Sequence, residues 1–563
     1  MEPESLTSPL VSAKRNKPMS TPPVSGSADR RLPTETADPP KTLGGILKQI
    51  GPGLIIAANI VGSGELIMTT KTGAQAGIAL LWLILLGCVV KVFVQLEFGR
   101  FAISHGETTL TSLNRVPGPR LFGINWIVAF WAIMISTSTG QLGGILGGVG
   151  QSLSITFPIT GDYQTAVLLP SEKDIREFAA WKKAGSAGVE YQSAARMARV
   201  RDELLAQGGL GDTILALAMD DKPLIDADGV NLANPKTIDD KIWAIIIGIG
   251  TAVILFRGRY KIIEVFSVAL VVAFTFITVG NVIALQNTQY AISGAEFLRG
   301  LSFGLPLTKD PSMAIVTAFA TFGIIGVGAT ELISYPYWCL EKGYARSAGP
   351  RTKDDAWLMR ARGWFHVMKY DAFASMVIYT LATAAFCLMG VAVLHTEGRD
   401  PENSKLVSTL ARSYVPIFGE YAKWLFLAGA FAVLYSTFLV ANAGNARMMA
   451  DFCGLKGWSS GDPDSKARRR LVRGLSTFLP LLCIVLYLVF PNPVTLITIA
   501  GMTQAVMLPM LGFAAIWFRF RETDERLRPG IAWDIALFVS SLALLIASGY
   551  GVWKAIDSFM KMA

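Results

Sequence analysis

Residues 61–67 read Val-Gly-Ser-Gly-Glu-Leu-Ile and residues 327–333 read Val-Gly-Ala-Thr-Glu-Leu-Ile. Each heptapeptide lies inside a long apolar run, at 51–70 and 313–338. A glycine-rich break beside a carboxylate, at matching places in two apolar segments, points to a membrane carrier built from two repeats. Its binding site forms where both helices unwind, because in hydrocarbon a helix can open its backbone only onto a protein-lined cavity. Glu65 and Glu331 at that depth each need a partner. Two carboxylates converging there would repel each other, and a divalent cation between them relieves the repulsion. The carbonyls freed at Gly62, Ser63, Gly328 and Ala329, with the hydroxyls of Ser63 and Thr330, would complete an all-oxygen shell. Such a shell suits Mg²⁺, Mn²⁺ or Ca²⁺ rather than softer metals.

The other reading of each glutamate is an ion pair with an embedded base. Lys71, Lys91 and Arg447 are the bases within apolar segments. Arg447 and Asp451 stand four apart on one helix and Glu97 and Arg100 three apart, so each pair is expected to satisfy itself. Lys91 has no acid closer than six residues on, and a structural or snorkelling role is expected.

The elements that position these groups follow from composition. Of 563 residues, 52% are hydrophobic and only 17% charged, which sets the chain apart from a soluble protein of this length. Stretches long enough to cross a bilayer as helices occur near 51–70, 79–101, 124–150, 242–257, 262–285, 313–338, 372–394, 423–450, 474–490, 493–518 and 532–553. The fold class is therefore an all-α polytopic membrane protein of about eleven spans. Residues 1–45 lack an apolar signal-peptide core and are expected to form a disordered cytoplasmic tail, leaving the first span as its own membrane signal. The net charge of +9 is a matter of topology, not of nucleic acid. With the N-terminus inside, loops 102–123, 257–261, 339–371, 451–473 and 519–530 hold 22 Lys and Arg against 8 on the other side, leaving out one long insertion. That bias places the N-terminus in the cytoplasm of a plasma or inner membrane.

The insertion, residues 158–240, is extracytoplasmic by this topology and carries helical patterns at 171–184 and 190–207. Asp226-Ala227-Asp228-Gly229 within it resembles a calcium loop, but the remaining ligand spacing is missing and a plain turn is expected. The five cysteines, Cys88, Cys339, Cys387, Cys453 and Cys483, lie in or beside apolar spans, which does not suit a disulfide framework. His105, His366 and His395 all fall outside the broken segments, so neither a histidine metal site nor a hydrolytic triad is expected. No cofactor is implied; the metal would be substrate.

Glu65 and Glu331 are 266 residues apart with five spans from one broken segment to the next, and an odd number inverts the second unit relative to the first. The third spans of the units correspond as well. Ser136-Thr137-Ser138-Thr139-Gly140-Gln141 answers Ser436-Thr437 followed by Asn442, Gly444 and Asn445. Gln141, Ser436, Thr437, Asn442 and Gln504 are candidates for lining the cavity or holding a coupling ion. The alternative is that Ser, Thr and Gly simply let helices pack closely; recurrence at equivalent places favours function.

From about residue 49 to 518, outside the insertion, the chain resembles the Nramp family of divalent-metal transporters. The resemblance rests on Gly51-Pro52-Gly53, Leu81-Trp82, the sixth span, Ser436-Thr437 with Ala443-Gly444, and Leu508-Pro509. It implies a leucine-transporter type of fold: two inverted repeats, 49–285 and 313–518, with discontinuous helices 1 and 6. A further helix at 531–555 follows. The chain departs from the family at its core. Gly62-Ser63-Gly64-Glu65 stands where the family carries Asp-Pro-Gly-Asn, and Thr330-Glu331-Leu332 where it carries Met-Pro-His. The third span holds no acid, so the resemblance does not extend to the family's proton route.

The expected function is thus alternating-access transport of a divalent cation such as Mn²⁺ or Mg²⁺, with no enzymatic activity; the expected partners are the cation and the lipid bilayer. A sodium- or proton-coupled carrier of a small organic solute on the same fold is the alternative. A membrane receptor that uses the 158–240 insertion is a third.

Overall fold

Apolar sequence in hydrocarbon must pair its backbone groups internally, and helices do so within one segment. The computed structural model describes residues 36–184, 191–257, 260–306, 311–419, 421–462 and 465–562. Each expected apolar stretch is helical there. The unsegmented helices are Leu81–His105, Trp126–Thr156, Asp239–Arg257, Tyr260–Leu285, Asp355–Met389, Tyr421–Leu455, Lys466–Val489, Pro493–Trp517 and Ile531–Met562. Among the described residues, seven helical runs are by themselves long and apolar enough to cross a membrane. An eighth arises if Leu43–Gln49 and Pro52–Ile60, bent by 55°, count as one. Trp126–Thr156, with its Ser136–Gln141 polar run, and Asp239–Arg257, with charged ends, are not among them. A two-stranded hairpin, Arg120–Leu121 with Ile124–Asn125, is a minor departure from the all-helical plan.

The first and sixth spans are segmented, in different ways. The first runs as α-helix over Pro52–Ile60, π-helix over Val61–Thr69 and α-helix again over Thr70–Ala76. The sequence predicts an unwound turn at 61–64; the backbone instead widens and stays helical. Its carbonyls find hydroxyls on the same helix: Thr69 Oγ1 donates to the carbonyls of Gly64 and Glu65, and Thr72 Oγ1 to that of Met68 at 2.8 Å. Gly62 is a close-approach residue, because a Cβ there would sit 2.2 Å from Thr437 Oγ1 on the eighth span. The sixth span is broken outright between Pro311–Ile324 and Ala329–Lys342. The break spans 325–328 rather than the expected 327–330, and turns on Gly326, whose φ is +56°.

The insertion carries Glu172–Lys183 and Tyr191–Leu205, plus a third helix, Gly209–Met219, that the sequence patterns did not mark. They share a small core of Ile175, Phe178, Val200, Leu204, Ile214 and Ala218. Asp226 makes a turn, its Oδ1 accepting from the backbone N–H of Asp228 and Val230. The insertion docks on the segment after the seventh span. Lys405 Nζ donates to the Pro170 carbonyl at 2.8 Å, Arg399 pairs with Glu203 at 3.0 Å, and Arg199 donates to the Gly398 carbonyl at 3.4 Å. That segment also holds the end of the first span, through Lys71 to Asp400 at 2.5 Å and to the Pro401 carbonyl at 2.8 Å.

Most of the expected tail, residues 1–35, lies outside the described residues. Residues 36–45 do not fit disorder. Ala37 N–H donates to the Ser347 carbonyl at 3.1 Å, its own carbonyl accepts from Trp364 Nε1 at 3.0 Å, and a helix starts at Leu43. The last helix packs on the core through Trp533 Nε1 to Glu97 at 2.5 Å, Ser548 Oγ to the Ala505 carbonyl at 2.7 Å, and Arg519 with Asp534 at 2.7 Å.

Candidate functional site

Breaking the sixth span strands carbonyls at the end of its first half and N–H groups at the start of its second. Ile325 N–H still reaches the Thr321 carbonyl at 2.9 Å, and Leu332 N–H reaches Gly328 at 2.9 Å. The Gly328 carbonyl is therefore inside the helical ladder, not free for a cation as the sequence reading expects. Ala329 opens the same helix. Lys91 takes two of the carbonyls released, those of Phe322 and Ile325. Its Nζ donates to Ile325 at 2.8 Å and to Phe322, and lies 4.8 Å from the Phe322 ring centroid. Lys91 is wholly buried, so it does not snorkel. A cation at a helix C-terminus also complements the helix dipole.

Glu65 serves the other side of the same break. Its Oε1 accepts from Gly326 N–H at 3.0 Å and from Thr383 Oγ1 at 2.9 Å. Its Oε2 is buried with no hydrogen-bond partner among the described residues. A charged residue from each of the first two spans thus stitches the broken sixth. Of Ser63 the backbone is described, within the π-helix, but not the side chain.

Glu331 sits in the first turn after the break, buried. Its Oε1 accepts from Asn59 Nδ2 at 2.6 Å. Its Oε2 lies over Gly328, where a Cβ would approach it to 2.5 Å. Asn59 was missed from sequence; the signal available was a lone amide inside Pro52–Ile60, an otherwise apolar segment.

Two further candidates meet beside Thr330. Its N–H donates to Gln504 Oε1 at 3.3 Å, Gln504 Nε2 donates to Gln141 Oε1 at 2.9 Å, and Thr330 Oγ1 lies 3.3 Å from Ser138 Oγ. Third, sixth and tenth spans are joined there. Ser436 and Thr437 face the first span instead. Thr437 Oγ1 accepts from Gly62 N–H at 3.0 Å and donates to the Ala58 carbonyl at 3.2 Å, while Ser436 Oγ donates to Val433 at 2.9 Å. Asn442 is not part of either group: its Nδ2 donates to the Phe438 carbonyl of its own helix at 2.7 Å, and Cys483 lies at its Oδ1.

The charge pairs are rearranged. Arg100 and Glu97 stand 3.3 Å apart. Arg447 does not pair with Asp451; it makes two bonds to Glu341, at 2.6 and 2.8 Å, with its guanidinium over the Trp338 ring. Asp451 accepts from Thr108 at 2.5 Å and Tyr337 at 2.8 Å, and Arg468 stands 3.8 Å away. A two-point guanidinium–carboxylate contact outweighs a pairing along one helix, worth a few tenths of a kcal/mol.

Among the described residues no three of His, Cys, Asp and Glu gather into a metal-holding group. What converges on the break is two carboxylates with amides and hydroxyls. Sulfur is nearer than the sequence suggested: the Cys88 thiol lies within hydrogen-bonding reach of Thr383, the residue bound to Glu65.

Membrane-length helices in two corresponding sets, whose first and sixth members lose α-winding over buried carboxylates, define a polytopic membrane transporter. A family model, natural resistance-associated macrophage protein-like (Nramp), matches residues 227–554. That is more than half of the chain, and the chain belongs to the Nramp family. Its fold is similar to that of the Eremococcus coleocola manganese transporter. A histidine-to-alanine mutant of that protein superposes with a TM-score of 0.59 at 11% identity, covering 93% of this chain and 91% of that one. Its complex with an aromatic bis-isothiourea compound gives 0.53 at 12% identity, covering 95% and 92%. Identities this low speak to the fold alone. No curated protein matches the sequence. Family membership sets aside the receptor reading.

Proposed function

We propose that this transporter carries a divalent cation by alternating access, with Glu331 and Glu65 as the charged groups at the cargo site. The observation that carries the reading is the pair of buried carboxylates from corresponding places in the two repeats, both turned toward the break in the sixth span. Each has one oxygen held by an N–H donor, and Glu65 keeps its second oxygen buried and unpartnered. A cation supplies what that oxygen lacks. The manganese transporter named for the similar structures agrees with this class of cargo. The oxygen-rich surroundings favour Mn²⁺ or Mg²⁺, and the Cys88 thiol beside Thr383 would admit a softer ion. Gln141, Gln504 and Thr330 would line the route beside the site, with Ser436 and Thr437 holding the first span against the eighth. The excess of Lys and Arg on one set of loops supports an N-terminus in the cytoplasm, with the protein in a plasma or inner membrane.

The test is uptake of Mn²⁺ and Mg²⁺ into proteoliposomes, with and without a proton gradient. Uptake should be lost in Glu331→Gln, since removing a buried charged contact costs about 2–5 kcal/mol, or well over tenfold in affinity. Uptake of a small organic solute uncompeted by metal, with Glu331→Gln fully active, would overturn the reading.

A further inference from the structure

Asn59 is the only polar side chain in Pro52–Ile60, a segment otherwise made of Pro, Gly, Leu, Ile and Ala. It is 5% exposed. The large majority of buried side-chain polar atoms have a hydrogen-bond partner. Asn59 has one end satisfied. Its Nδ2 donates to Glu331 Oε1 at 2.6 Å, and its Oδ1 is buried without a donor among the described residues. With Glu331 as the acceptor, the NH₂ of Asn59 faces the carboxylate and its oxygen faces away. Glu65 Oε2 is a second buried acceptor in the same condition, six residues along the same span. Both side chains reach the sixth span around its break, one at Glu331 and the other at Gly326. Two buried acceptors without a donor among the described residues thus flank the break, one on the amide bound to Glu331 and one on the carboxylate of Glu65.

We propose that Asn59 is a direct ligand of the transported cation, its Oδ1 coordinating the ion while its Nδ2 fixes the carboxylate of Glu331. The inference rests on the cation reading above and adds to it a neutral oxygen from the first span. A neutral amide oxygen adds to the coordination without adding charge, which keeps the site from binding its cargo too tightly to release, and it favours hard cations over soft ones. Hydrogen bonding to Glu331 orients the carboxylate before the ion arrives.

The experiment is Mn²⁺ titration of the purified full-length chain in detergent by calorimetry, with thermal unfolding recorded with and without Mn²⁺. The variants are Asn59→Leu, Asn59→Asp and Glu331→Gln. Leucine keeps the shape and removes both functions; aspartate keeps an oxygen ligand but no longer donates to Glu331. Asn59→Leu should weaken Mn²⁺ binding by about tenfold or more, with the Mn²⁺-dependent rise in melting temperature lost. Asn59→Asp should keep binding within a few-fold of wild type. Should Asn59→Leu fail to fold, Asn59→Asp decides alone. Aspartate losing at least tenfold would mean that Asn59 only orients Glu331, which overturns the proposal. Wild-type affinity in Asn59→Leu with binding lost in Glu331→Gln overturns it too, and leaves the cargo site standing. Wild-type affinity in both variants overturns the cargo site itself.

Discussion

Lys91 Nζ donates to the Ile325 carbonyl at 2.8 Å, so a charge on the second span closes the first half of the broken sixth. Glu65 binds Gly326 N–H, one residue on, from the first span. The break is held by opposite charges on its two polar faces.

Lys91→Met removes the donor of two buried carbonyls and leaves Glu65 without its cationic neighbour. A loss of about 3–5 kcal/mol is expected, the range for breaking a buried charged contact. It should appear as a lowered melting temperature in detergent and poor yield. A methionine variant as stable as wild type would mean that other donors reach the Phe322 and Ile325 carbonyls.

Gly326→Ala tests the turn itself. At φ +56° an L-residue pays roughly 1–2 kcal/mol, and the new Cβ would come 2.8 Å from Cys88 Cα. Stability and uptake should both fall. Gly250→Ala, in a helix with nothing within 4 Å of the added carbon, should be neutral or gain up to about 1 kcal/mol. Equal behaviour of the two variants would show that the turn at 326 tolerates a side chain.

Topology is checked by labelling in a Cys453→Ser background. Cysteine in place of Lys183, at the end of Glu172–Lys183, should react with a membrane-impermeant maleimide on intact cells. Cysteine in place of Arg470 should react only after lysis. The reverse pattern would invert the orientation drawn from the basic loops.

Acid should loosen the insertion only at low pH. Burial pushes the Asp174 carboxyl up, but the Arg199 and Arg196 guanidiniums outweigh it and hold the group below the ordinary carboxylate range. A value depressed in the folded state contributes stability that is complete above the unfolded value, near 4, and is lost as pH falls through the lower folded one. Hydrogen exchange of the helices Glu172–Lys183 and Tyr191–Leu205 should thus stay constant from pH 7 to about 4, once corrected for intrinsic rates, and rise below it. Asp174→Asn should raise it at neutral pH. Softening already near pH 6 would assign the seam to another group.

Sequence alone determined the helical stretches, the repeat and the two carboxylates, because these depend on local rules. A polar backbone in hydrocarbon must wind into helix wherever twenty apolar residues run on, and a Gly-rich interruption beside a Glu is visible in any one segment. The resemblance to the Nramp family came through short motifs for the same reason. Tertiary structure decided which partner each polar group meets. Val61–Thr69 keeps a π-helix because Thr69 lies within reach of the carbonyls a break would free, and the eighth span presses on Gly62. Arg447 prefers Glu341, more than a hundred residues away in sequence, to Asp451 one turn along, because the sixth and eighth spans abut. Lys91 looked unpaired since its partners are backbone carbonyls, which carry no signature in sequence. Asn59 was passed over because one amide in an apolar run acquires meaning only when Glu331 is placed against it.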